Sequence, residues 1–173
     1  MKSYLLVICR FSLPLFFVST LSAGLGAQTL PKPKGPVILT VAGQISQRNA
    51  GDNAEFDAEM LDALPLTQFA TASPWHANPV TFDGPSLKSI LNAVGAQGKV
   101  LRMIAMNKYE TMVPFDDAAE FGPVLARRAD GKELTIRQKG PVFMIYPFDS
   151  KPKLKSDIYY SRSIWQLQKI VVE

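Results

Sequence analysis

The sequence predicts an α+β fold with mixed or antiparallel β-sheets and a few helices. Three observations lead there. About seven short stretches are rich in β-branched and aromatic residues and are bounded by Gly, Pro, Asn or Asp. Two stretches space their apolar residues at helical intervals. The chain has 173 residues, enough for one ordinary domain with a real core.

The elements follow in order. Lys2 opens a short basic region, apolar residues run from Leu5 to Val18, and the small-residue tail SAGLGA offers cleavage after Ala27. This reads as a secretory signal peptide over residues 1–27, and the expected location is the periplasm. Arg10 and Pro14 leave no uninterrupted apolar span of about 20 residues, against a membrane anchor. Residues 28–36, with TLPKPKGP, form a Pro/Lys leader expected to be extended and mobile. Residues 37–173 form the domain.

VILTVAGQI alternates and is read as a strand ending near Gly43. AEFDAEMLDAL spaces Phe56, Met60, Leu61 and Leu64 as a helix would, and Pro65 ends it. LTQFAT is a short strand. It delivers the chain to FATASPWHANPVTFDGPSL, where three prolines and a glycine argue against regular structure throughout. Ser86 caps LKSILNAVG, with Leu87, Ile90, Leu91 and Val94 on one face and Gly95 as the stop. KVLRMIAM turns at Asn107–Lys108 into YETMVP. DDAAEF is one helical turn, and VLARR is a short strand before a turn at Asp130–Gly131. ELTIR, PVFMIYP and WQLQKIVV are strands.

Composition removes many functions. Loss of 27 residues from 173 leaves 146, with 17 basic residues against 15 acidic ones, a net charge of +2. That balance gives no clustered basic face for nucleic acid but permits a small anionic ligand. Cys9, inside the signal, is the one Cys, so the exported domain has no disulfide, no thiolate nucleophile and no thiolate metal ligand. With a single His as well, the usual zinc sets cannot be built in one chain.

Several side chains remain of chemical interest. Trp75 is either a stacking face for a flat ligand or a core plug. His76 beside it is either a solvated loop residue or a hydrogen-bonding group. Asn107 and Tyr109 lie on a turn, which Asn favours for conformational reasons. The Asn107 amide also offers a donor and an acceptor side by side. Asp116 or Asp117, after Pro114, can supply a carboxylate. Arg127, Arg128, Arg137, Lys139 and Arg162 are solvated by default, and together they suit an anionic group of a ligand. Val142, Met144 and Tyr146 share one strand face and read as core, and Trp165 reads as packing.

The succession VTFDGPSLKSILNAVGA, VLRMIAMNKYETMVPFDD, RRADGKELTIRQKGPVFMIYPFD and SRSIWQLQKIVV resembles the molybdopterin-binding domain of the sulfite oxidase family. It is most similar to the small stand-alone exported versions, with their Asn-x-Tyr turn, DG…L…KGP…YP block and final W-Q-L strand. The resemblance runs from about Val37 to Glu173 and rests on motif order, since each motif is short. It implies the sulfite-oxidase catalytic-domain fold, with a pterin held among loops at one end.

In that family a Cys thiolate ligates molybdenum shortly before an aromatic residue. Here the counterpart is Thr71, with Ser73 second, and a neutral hydroxyl does not replace a soft anionic sulfur. The family's stand-alone members also tend to have an acidic residue where this chain has Lys108. The resemblance therefore implies a pterin-binding protein without redox metal chemistry and without a bound metal. Its expected cofactor is a reduced pterin or a molybdopterin-like one. The cofactor-binding residues expected from it are Thr71, Ser73, Trp75, His76, Asn107, Tyr109, Arg127, Arg128, Lys139 and Tyr146. The implied partner is the periplasmic domain of a membrane-bound cyclic-di-GMP cyclase or phosphodiesterase. Alternative readings are a molybdopterin-dependent oxidoreductase with unusual ligation, a subunit or chaperone of one, and a structural domain whose pocket has decayed.

Overall fold

A computed structural model describes residues 30–173. The expected signal peptide and residues 28 and 29 of the leader lie outside the described residues. The order of elements is β1 (Leu39–Gly43), β2 (Ala54–Phe56), α1 (Ala58–Asp62), β3 (Leu66–Ser73), β4 (His76–Pro85), α2 (Leu87–Ala93), β5 (Val100–Ala105) and β6 (Glu110–Pro114). There follow α3 (Asp117–Glu120), β7 (Val124–Ala126), β8 (Arg128–Ala129), β9 (Lys132–Glu133), β10 (Phe143–Ile145), α4 (Asp157–Arg162) and β11 (Leu167–Val172).

The fold is α+β. Its main sheet runs β2-β1-β11-β5-β6 and is mixed, because β1 and β11 pair in parallel while the other neighbours are antiparallel. An antiparallel sheet β3-β4-β8-β9 and a two-stranded pair β10-β7 complete the framework. Leu101, Met103 and Ala105 alternate inward along β5, and Ile170 and Val172 do so on β11. They meet Leu87, Ile90 and Leu91 of α2 in one continuous core. Ser86 caps α2 by accepting from the Ser89 N–H at 3.0 Å, and Gly95 stops the segment at φ +57°, as the sequence predicts.

Four expectations need correction. Phe56 belongs to β2 rather than to the helix, which starts later because Asp57 caps it and accepts from Met60 N–H at 2.9 Å. The other oxygen of Asp57 accepts from the N–H groups of Lys34 and Gly35, at 2.7 and 2.8 Å. Asn49 also donates to the Pro31 carbonyl at 2.6 Å, so the leader from residue 30 to 36 is tied to the domain rather than loose. ELTIR is not a strand: pairing ends at Glu133, and Ile136–Gln138 form a 3₁₀ turn closed by Gly140 N–H on Thr135 O at 2.8 Å. Last, FATASPWHANPVTFDGPSL is mostly a hairpin of β3 and β4. Its Pro79 falls where the register shifts between the Thr71–Val80 and Ser73–His76 pairs, so its missing N–H interrupts no regular ladder.

Candidate functional site

The hairpin turns at Pro74–Trp75, and Ser73 Oγ is hydrogen-bonded to His76 Nδ1 at 2.8 Å across the turn. Trp75 thus sits at a fixed tip and folds back over the core. Its ring meets Phe143 at 5.8 Å, Tyr160 at 6.2 Å and Trp165 at 5.7 Å, each near-perpendicular, and Phe148 at 6.2 Å. Trp75 packs on the core and also lines a cleft.

That cleft has a volume of about 280 Å³ and is lined by Trp75, Asn107, Tyr109, Tyr160, Ser161, Ser163, Ile164 and Trp165. Asn107 enters from the β5–β6 turn, where its Oδ1 accepts from the Tyr109 N–H at 3.0 Å. Among the described residues nothing bonds its amide nitrogen. Tyr109 donates its hydroxyl to the Ser161 carbonyl at 3.2 Å, which joins that turn to α4 across the cleft. The arrangement is a small, aromatic-walled slot with a few polar groups. It suits a flat ring better than a long chain.

Trp165 was expected to open the last strand and pack. Instead β11 begins at Leu167, because Gln166 takes a left-handed conformation at φ 54°. This breaks the alternation and leaves Trp165 more than a third exposed on the cleft wall. Tyr160, Ser161 and Ser163 were not anticipated as site residues. Their helix, α4, carries no fully buried residue and so has no core-facing stripe to reveal it. The signal available was the pair Tyr159–Tyr160 just before SRSIW.

The remaining expected residues divide into neighbours and absentees. His76 flanks the tip with its ring edge-on to Phe82 at 5.6 Å. Burial, then the charge of Lys139, holds its imidazole below the ordinary range. Lys139 places its ammonium 5.2 Å from the centre of the Trp165 ring. Ser73 serves the turn.

Thr71 is fully buried away from the cleft. Its hydroxyl accepts from the Asp149 N–H at 3.1 Å and donates to the Ala72 carbonyl at 3.2 Å, while Asp149 accepts from Ala72 N–H at 2.6 Å and from Lys155 Nζ at 2.6 Å. Tyr146 is also fully buried. Its hydroxyl donates to Asp117 Oδ2 at 2.7 Å, and burial pushes the phenol well above its usual range.

Arg127 and Arg128 do not line the cleft and are held by carboxylates of this chain. Arg127 is buried against Asp62 at 3.3 Å and lies 3.8 Å from Glu133. Arg128 reaches Asp62 at 2.8 Å and Asp83 at 3.2 Å. Asp117 and Arg162 form a pair at 3.0 Å, and Asp116 is exposed at the start of α3. Arg137 is exposed on the 3₁₀ turn.

A larger groove of about 900 Å³ lies between residues 30–34, α1 and the end of α2. Its lining includes Lys34, Met60, Leu64 and Asn92 but none of the expected site residues. The smaller cleft is the better candidate because aromatic and polar groups from three separate segments converge on it. Among the described residues no cluster of three His, Cys, Asp or Glu side chains stands ready for a metal ion, and no helix is long and apolar enough to cross a membrane. No protein-family model matches the chain, and no curated protein is significantly similar to it.

Proposed function

We propose that this protein binds a pterin-like flat heterocycle in the cleft beside Trp75 and acts as an exported ligand sensor without redox metal chemistry. The carrying observation is convergence. Trp75 lies far in sequence from the Asn107–Tyr109 turn, and both line one slot together with Trp165. Trp75 and Trp165 offer ring faces and edges, and Asn107 offers an amide that matches a donor–acceptor edge. A volume of about 280 Å³ is at the small end for ligand pockets, which favours a bicyclic ring over a large nucleotide-linked cofactor. The succession of motifs supports a sulfite-oxidase-like fold, and the mixed sheet with few short helices is compatible with it.

The residues present do not fit molybdenum. At the counterpart of the family's Cys stands Thr71, whose buried hydroxyl is already bonded to the backbone at Asp149 and Ala72. A soft redox metal asks for an anionic sulfur there. The oxidoreductase reading is correspondingly weaker.

A protein partner at the same end of the molecule is part of the proposal. Met106, Ile136 and Ile158 are exposed apolar residues on the segments that carry or adjoin the cleft-lining residues. The outer domain of a membrane-bound cyclic-di-GMP cyclase or phosphodiesterase is the partner the motif resemblance suggests.

The test uses the protein's own fluorescence. The chain has two tryptophans and both line the cleft, so quenching on titration reports on that place alone. A reduced pterin should quench saturably, and a one-to-one stoichiometry should follow by calorimetry. No quenching by reduced or oxidised pterins at millimolar concentration overturns the proposal.

A further inference from the structure

Three residues other than glycine adopt left-handed backbone conformations around the cleft. Lys108, at φ 68°, lies between the lining residues Asn107 and Tyr109, and Gln166, at φ 54°, follows Trp165. Lys139 is the third, at φ 75°. Glycine fits such positions more easily, and outliers of this kind gather at functional sites. Two of them are joined directly, and the third lies two residues beyond Met106, which bonds to the pair. Gln166 N–H donates to the Lys139 carbonyl at 2.9 Å, and Met106 N–H donates to the Gln166 carbonyl at 2.9 Å.

Lys139 has the more informative side chain. It is half-buried, its ammonium lies 5.2 Å from the Trp165 ring centre, and among the described residues no carboxylate pairs with it. Other half-buried cations nearby are matched: Arg128 has two carboxylates and Arg162 has Asp117. The walls alone, with Trp75, Tyr109, Tyr160 and Trp165, would also suit a quaternary ammonium held by cation–π attraction. The charge on Lys139 decides against it. An ammonium beside a residue of the cleft wall repels a cationic ligand and attracts an anionic one.

Building on the pterin-type reading of the cleft, we propose that its ligand carries an anionic substituent and that Lys139 binds that anion. The ring lies in the cleft against the joined Trp75–Trp165 pair, and the substituent points to the Trp165 side, within reach of the flexible lysine. Arg127 and Arg128 play no part, since carboxylates already occupy them.

The experiment compares a pterin carboxylic acid with its hydroxymethyl counterpart by tryptophan quenching and calorimetry, with tetramethylammonium as a competitor. The acid should bind about ten-fold more tightly than the neutral compound at low salt, and added salt should shrink that margin. Lys139→Gln and Lys139→Gly should each reduce the margin to about two-fold or less, while Lys139→Arg keeps most of it. Lys139→Gly also suits the left-handed backbone, so it separates lost charge from lost folding. Equal binding of both compounds, a margin that survives Lys139→Gln and Lys139→Gly, or competition by tetramethylammonium overturns the anion assignment and leaves the pterin reading standing. Binding of neither compound overturns both.

Discussion

The indole rings of Trp75 and Trp165 stand at 87° to one another with centres 5.7 Å apart, joining the hairpin tip to the segment that leads into the last strand. Trp75 also packs on Phe143 and Phe148, both essentially buried, whereas Trp165 is more than a third exposed. Trp75→Ala should therefore cost about 2–4 kcal/mol of folding stability, and Trp165→Ala about 1 kcal/mol. Both should weaken pterin binding, and Trp75→Phe should retain much of it. Denaturant melts and calorimetry on the same samples separate the two effects. A well-folded Trp75→Ala protein with unchanged pterin affinity would remove the hairpin tip from the binding site.

Tyr146 and Arg162 share Asp117 as acceptor inside the core, at 2.7 and 3.0 Å. Tyr146→Phe removes one donor from a buried carboxylate and should destabilise by about 1–3 kcal/mol while leaving ligand affinity unchanged. Asp117→Ala should cost more, about 3–5 kcal/mol, because it leaves the Arg162 charge unpaired. Urea midpoints measure both. A Tyr146→Phe protein that binds pterin poorly but melts normally would return Tyr146 to the site.

His76 predicts a pH dependence. Burial, and then Lys139, disfavour its charged form, so its folded pKa lies below the unfolded value near 6.5. As pH falls, the unfolded chain takes up this proton first. The resulting stability is fully present above the unfolded pKa and is lost as pH drops through the folded pKa. His76→Gln should flatten the difference between denaturant midpoints measured at about pH 8 and about pH 5. The Lys139→Gln variant should narrow it in part. An identical pH slope in wild type and His76→Gln would rule His76 out as its source.

Thr71→Cys should fold, because the two side chains are of similar size, though the thiol accepts less well from Asp149 N–H and the change should cost about 1 kcal/mol. In a protein beginning at Gln28 it would be the sole thiol. Thr71 is fully buried, so labelling by an aromatic disulfide reagent should be slow in buffer and fast in denaturant. Rapid labelling of the native protein would mean that this position opens to the surface.

The sequence was most legible where one local pattern acts alone. Ser86 and Gly95 bracket α2, and strict alternation marks β5. The β5–β6 turn showed itself through Asn107, whose side chain bonds its own backbone two residues on. Legibility failed where tertiary pairing overrides local signals. Pro79 made β4 look irregular, yet it sits in a register shift. Thr135, Ile136 and Arg137 look like strand residues but lose their partner after Glu133. Half of the cleft stayed hidden because α4 is short and Gln166 re-aims Trp165 through a backbone angle that composition does not encode. The ion pairs of the arginines were hidden for a related reason. The carboxylates that hold Arg128, Asp62 and Asp83, lie 66 and 45 residues away from it in sequence.

The parallel pairing of β1 with β11 has a consequence for how the chain is made. β11 occupies the middle of the main sheet, between β1 and β5, yet it is synthesised after the other strands of that sheet. A growing chain with the first ten strands complete still has an empty slot at the centre of that sheet, with β1 and β5 lacking their shared neighbour. Native closure of the main sheet therefore waits for Leu167–Val172, and until then the facing edges of β1 and β5 carry backbone groups without their strand partner.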